Sequence, residues 1–192
     1  MKKVFTQFFY VVAATVTLIG ASFSAKAQTY VGGNLQSGKL ASAVAVDATG
    51  NVYVVQFNSS SGSPNGGGGT GEVVMYAYNN LGGTPTPIAT GIPDDDNAAN
   101  DYATGIIVDP INGDVYVLSD NEDSNSIAPY GIIYKIKNNG SGSFAAKTPW
   151  ITGNSTVGYA SAIAIDGSGN IYVDEYNSGG NYYQIDEYAL LN

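Results

Sequence analysis

The chain has 192 residues, 25 of them glycine, and contains no cysteine, histidine or arginine. That excludes disulfide frameworks, thiol nucleophiles, imidazole bases and histidine-ligated zinc or iron. All 16 acidic residues follow residue 27, where only Lys39, Lys135, Lys137 and Lys147 oppose them, a net charge of −12; such a surface repels nucleic acid and anionic membranes, leaving cations, metal ions or neutral glycans as fitting company.

In chain order, Lys2 and Lys3 precede an apolar run from Phe8 to Ala21, and Ser24-Ala25-Lys26-Ala27-Gln28 follows. A basic start, a short apolar core and an Ala-x-Ala site describe a secretory signal peptide. The run falls short of the roughly 20 residues that a membrane span needs. We therefore expect cleavage after Ala27 and a secreted, periplasmic or cell-surface location. No span is expected after cleavage.

Residues 28–192 hold one unit three times over: ASAVAVDATGNVYV at 41–54, ATGIIVDPINGDVYV at 103–117 and ASAIAIDGSGNIYV at 160–173. Asp47, Asp109 and Asp166 anchor the units. Each reads as a small-residue apolar strand, a Gly-containing turn and a β-branched return strand, which is the pattern of a tight hairpin. Third strands are expected over Glu72–Tyr78, Ile132–Ile136 and Tyr183–Tyr188. Fourth strands are expected over Thr86–Thr90 and Thr148–Thr152. No 3.6-residue apolar stripe signals a helix.

Four antiparallel strands per repeat, starting with small residues, is the composition of a β-propeller blade. The expectation is an all-β, propeller-like array of about three blades, near 41–90, 103–152 and 160–190. Gln28 to Gly32 resembles the fourth-strand segments, so 29–32 would be a closing strand for the last blade. Three blades do not close a ring of the usual four to eight. The chain is thus either a shortened gene product or one that completes its ring as a homodimer.

Gly105-Ile106-Ile107-Val108-Asp109, and Ala164-Ile165-Asp166 with Gly169-Asn170-Ile171-Tyr172-Val173, resemble the NHL-type propeller repeat. The resemblance covers the first two strands of each unit. It implies blade architecture and, by family analogy, either a binding or scaffold module or a calcium-dependent lactonase or lyase. The chain departs from the pattern where the family usually has Asp after the Tyr-Val strand; here Gln56, Ser119 and Glu175 stand instead. The family's following Asn-x-Arg segment has no counterpart, so no family site is carried over.

In this architecture the long loops 58–70, 91–101, 119–130 and 177–181 emerge on one face, where binding tends to reside. Two are acidic. Asp94, Asp95, Asp96 and Asp101 in one, with Asp120, Glu122 and Asp123 in the other, form a hard-oxygen set of the type that takes calcium. The competing reading is a pair of solvated loops. Tyr102, Tyr130, Tyr159 and Tyr176 lie near the same face, where they could stack on sugars or pack inward. Asp174 and Glu175 leave an inner hairpin there and join the ligand-binding candidates. The three repeat aspartates read as turn locks that accept hydrogen bonds from backbone amides. The run Gly66 to Gly69 precedes neither a helix nor a Lys-Thr pair, so it is a loop tip and not a phosphate cradle.

Overall fold

The computed structural model describes residues 38–58, 71–92, 103–119, 132–152, 159–177 and 181–188, all within the unit Gly32–Asn192. The expected leader 1–27, the closing strand 29–32 and most of each long loop lie outside the described residues.

The described chain is all-β. β1 (Lys39–Val46), β2 (Val52–Asn58), β3 (Gly71–Tyr76) and β4 (Thr86–Ile92) form sheet one in that order. β5 (Ala103–Val108), β6 (Val115–Ser119) and β7 (Ile132–Ile136) continue as sheet two. A small hairpin, β8 (Asn138–Gly140) and β9 (Ser143–Phe144), precedes β10 (Thr148–Thr152), which completes that sheet beside β7. β11 (Tyr159–Ile165), β12 (Ile171–Asn177) and β13 (Tyr182–Tyr188) make sheet three. Neighbouring strands pair antiparallel throughout, and no helix among the described residues is long and apolar enough to cross a membrane.

The strands expected within the described residues are present, with ends displaced by up to a few residues. The β8–β9 hairpin was not expected. Its polar, glycine-rich stretch Asn138–Gly142 carries no apolar alternation, and it folds where Gly140, Ser141 and Gly142 take positive φ.

The sequence repeat is also a structural one. Each first hairpin carries a register shift at one equivalent place, Ala41/Ala43, Ala103/Gly105 and Ala160/Ala162. Gly50, Gly113 and Gly169 occupy one turn position with φ of +90°, +75° and +89°, a conformation that costs other residues steric strain.

The sheets stack face on face through two apolar seams. Tyr53, Val55 and Val73 of sheet one pack with Ile106, Val115 and Val117 of sheet two. Ile107, Tyr116, Leu118 and Ile133, on the other face of sheet two, pack with Ile163, Ile171 and Val173 of sheet three. Alternation along each strand thus gives every sheet one face toward its predecessor and one toward its successor. The first strands β1, β5 and β11 stand side by side. Their small residues allow it: Ile163 lies so close over Gly105 that a Cβ there would sit 2.5 Å from its Cγ2.

Candidate functional site

The repeat aspartates are turn locks. Asp47 Oδ1 accepts from Thr49 N (2.9 Å), Thr49 Oγ1 (2.7 Å) and Asn51 N (2.9 Å), and its Oδ2 accepts from Asn51 Nδ2 (2.8 Å) and Tyr53 Oη (3.1 Å). Burial alone would raise this carboxyl's pKa, but the donors from Thr49, Asn51 and Tyr53 outweigh it and hold it below the usual range. Burial, together with the Asp47 charge, pushes the Tyr53 phenol up to about 12. Asp166 repeats the lock with Ser168 N, Asn170 N, Asn170 Nδ2 and Tyr172 Oη. A carboxylate with this many internal donors has little capacity left for a substrate.

Sheet two departs from the pattern. Asp114 stands where Asn51 and Asn170 stand, and a carboxylate has no N–H to give. It keeps one task of the amide: its Oδ1 accepts from Asn138 N (2.8 Å), as Asn51 Oδ1 accepts from Tyr78 N (3.0 Å). Its Oδ2 instead meets Lys135 Nζ at 2.8 Å. Asp109 Oδ2 and Tyr116 Oη, the counterparts of a bonded pair in the other repeats, are buried without a hydrogen-bond partner among the described residues.

At the other end of the second strands lies a buried polar layer. Gln56, Ser119 and Glu175 occupy equivalent places at the mouths of the long loops, and all three are buried. Gln56 Nε2 donates to Glu72 Oε1 (3.1 Å), and Lys39 Nζ pairs with the same oxygen at 2.7 Å. In sheet three the amide and the acid exchange places, with Glu175 opposite Gln184. Tyr188 Oη donates to Glu175 Oε1 (3.0 Å), and Gln184 Nε2 donates to Asp186 Oδ2 (2.9 Å). Glu175 is only 2% exposed, and its Oε2 is buried with no hydrogen-bond partner among the described residues. Burial raises its pKa; the Tyr188 hydroxyl pulls the other way, and the Asp186 charge adds to the rise. The phenol of Tyr188 is in turn raised by burial and by Glu175. A carboxyl so placed holds its proton longer than a surface acid and, once ionised, offers an oxygen without an internal donor.

Of the residues singled out from sequence, Glu175 is thus the one with a chemically distinctive setting. Asp174 lies on the opposite face of β12, where its Oδ2 accepts from Ser161 Oγ at 2.8 Å. Strand alternation therefore separates two acids that sequence reasoning had grouped. Tyr176 is placed on β12 opposite Tyr183. Tyr102, Tyr130, and the expected calcium set of Asp94, Asp95, Asp96, Asp101, Asp120, Glu122 and Asp123 lie outside the described residues. Among the described residues no three acidic side chains form a metal-holding group. Sequence reasoning missed the supporting pair Asp186 and Tyr188; the signal was the period-2 pattern Gln184-Asp186-Tyr188, which puts three polar groups on Glu175's face.

Glu175 makes stability depend on pH. The native form keeps its proton to higher pH than the unfolded chain, so rising pH from the usual 4.5 through the raised value favours unfolding. Glu175→Gln removes that titration. Denaturant unfolding at pH 4.5, 6 and 7.5 should show the variant gaining on the parent as pH rises. An unchanged difference across the series would mean Glu175 is not held protonated by its surroundings.

Compared with known proteins, the chain matches no protein-family model, and a search of curated proteins finds no significant relative.

Proposed function

We propose that this chain is an exported propeller-type protein of NHL-like architecture that acts as a non-enzymatic binding or scaffold module, taking a neutral glycan or a protein ligand on the long-loop face. One observation carries the reading: three sheets stack in sequence order with their small-residue first strands side by side, so the ends of β2, β6 and β12 at Asn58, Ser119 and Asn177 fall on one side of the stack. A rigid stack presenting long loops on one side is a common basis for recognition. The absence of histidine and cysteine removes the commonest nucleophile and base chemistry. The charge of −12 after residue 27 disfavours an anionic ligand.

Thermal unfolding in the presence of neutral oligosaccharides tests the reading. A bound sugar should raise Tm, and Tyr102→Ala combined with Tyr130→Ala should abolish the rise. N-terminal analysis of the exported protein should find Gln28 first; Met1 would remove the export reading.

A second reading, a calcium-dependent enzyme of the lactonase or lyase type, has Glu175 behind it, because a buried acid with one oxygen unbonded is a fitting proton donor or cation ligand. Millimolar calcium should then raise Tm, and Asp120→Ala should cancel the effect. Lactone turnover that requires calcium and disappears in Glu175→Gln would replace the first reading with this one.

A further inference from the structure

The four lysines after residue 27 stand in different settings. Lys39 Nζ meets Glu72 at 2.7 Å, and Lys135 Nζ meets Asp114 at 2.8 Å. Lys137 is exposed. Lys147 is half-buried and makes no ion pair among the described residues; its Nζ lies over the Tyr134 ring, 4.3 Å from the centroid. In so acidic a chain, a half-buried amine without a carboxylate is the exception.

That amine lines a cleft of about 360 Å³ between the outer strand of sheet one and the segment that leads into β10. Ile88 and Ala89 of β4 form one wall, and Phe144 and Ala145 belong to the other. Phe144 is held edge-on against Tyr53, with centroids 6.2 Å apart. The lysine stem runs beside Gly91, its Cε 3.7 Å from where a Cβ on that glycine would stand.

Apolar walls disfavour the charged form of an amine, and burial holds Lys147 below the usual lysine range. The π face of Tyr134 offsets part of that loss and fixes the amine's position. Lysines desolvated in this way serve as nucleophiles toward carbonyl compounds. We propose that Lys147 is an imine-forming amine and that its cleft takes a small neutral aldehyde, such as glyceraldehyde or an open-chain sugar. The cleft lies at the small end of the range for ligand sites, and the chain's acidity repels anionic carbonyl compounds. Unprotonated Nζ adds its lone pair to the carbonyl carbon, the carbonyl oxygen takes up a proton, and the carbinolamine loses water to leave a C=N bond. No oxidant or reductant is needed. The protonated imine is still a cation, so it keeps the contact with Tyr134. Neither ligand reading above is required, because β4 up to Thr90 and residues 144–147 form no part of the long loops.

Trapping with glyceraldehyde and cyanoborohydride, followed by peptide mass mapping, tests the site on the exported protein. The reduced adduct should appear on Lys147 several-fold faster than on Lys137. In urea, where both amines are solvated, the preference should vanish. Labelling of native Lys147 should also set in at lower pH than labelling of the same residue in urea. Lys147→Arg should remove its adduct and leave that of Lys137 unchanged. Thr90 is exposed and lines the same cleft, so Thr90→Glu sets a carboxylate there while leaving Tm close to the parent's. That variant should label Lys147 several-fold more slowly, since a nearby carboxylate favours the ammonium. Equal labelling of Lys147 and Lys137 in the native protein, a preference that persists in urea, or a Thr90→Glu variant that labels like the parent would overturn the proposal.

Discussion

Tyr116→Ala is expected to lower folding stability by about 3–5 kcal/mol, the range for losing a large buried aromatic ring. Tyr116 is fully buried in the seam between sheets two and three, where Trp150 meets it edge-on with centroids 4.9 Å apart and Lys135 Nζ lies 5.3 Å from its centroid. Trp150 also contacts Tyr188, at 6.4 Å, so the cavity would open beside the ring that serves Glu175. Tyr116→Phe should behave quite differently. The hydroxyl is buried without a hydrogen-bond partner among the described residues, so removing it should be neutral or stabilising by up to about 1 kcal/mol. The equivalent Tyr53→Phe loses a 3.1 Å bond to Asp47 and should cost about 1 kcal/mol. Urea unfolding of the three variants checks the contrast; equal losses for the two Phe substitutions would mean the hydroxyls have equivalent partners.

Asn51→Asp should destabilise sheet one by about 2–3 kcal/mol, although it copies what sheet two already has. It withdraws the 2.8 Å amide bond to Asp47 Oδ2 and sets a second carboxylate beside the first. Sheet two tolerates its own pair because Lys135, directly opposite Tyr116, reaches Asp114. The position of Lys135 is held in sheet one by Met75, opposite Tyr53. Asn51→Asp with Met75→Lys should therefore recover most of the loss. The converse change, Asp114→Asn, supplies Asp109 with the missing donor while freeing a partly exposed lysine, and should be neutral or stabilising within about 1 kcal/mol. A double mutant no more stable than Asn51→Asp alone would show that the cation does not compensate the acid pair.

This repeat-to-repeat exchange shows how far local sequence reaches. The hairpins, their aspartate locks and the antiparallel order follow from the spacing Asp47-x-x-Gly50-Asn51, which recurs at Asp166-x-x-Gly169-Asn170 and is one residue longer, with Asp114 in place of the Asn, after Asp109. Their partners lie within six residues, so local chain geometry alone suffices. The third strands, too, could be read from alternation. The β8–β9 hairpin could not, because turn residues without apolar alternation leave no mark that distinguishes a hairpin from a loop.

What required the tertiary structure was which side of each strand meets what. Sequence grouped Asp174 with Glu175 as neighbours, yet the pleat sends one toward Ser161 and buries the other against sheet two. A side chain's burial depends on the sheet stacked upon it, and that sheet comes from residues some 60 positions away. For the same reason, Val44 and Ile106 look alike in the sequence, and only the stack decides that one is covered and the other open. Composition excluded imidazole and thiol chemistry outright, since a missing residue type needs no fold to be missing. The acid with an altered proton affinity emerged only once desolvation, Tyr188 and Asp186 converged on Glu175, because electrostatic environment is a property of three-dimensional neighbours and not of the chain.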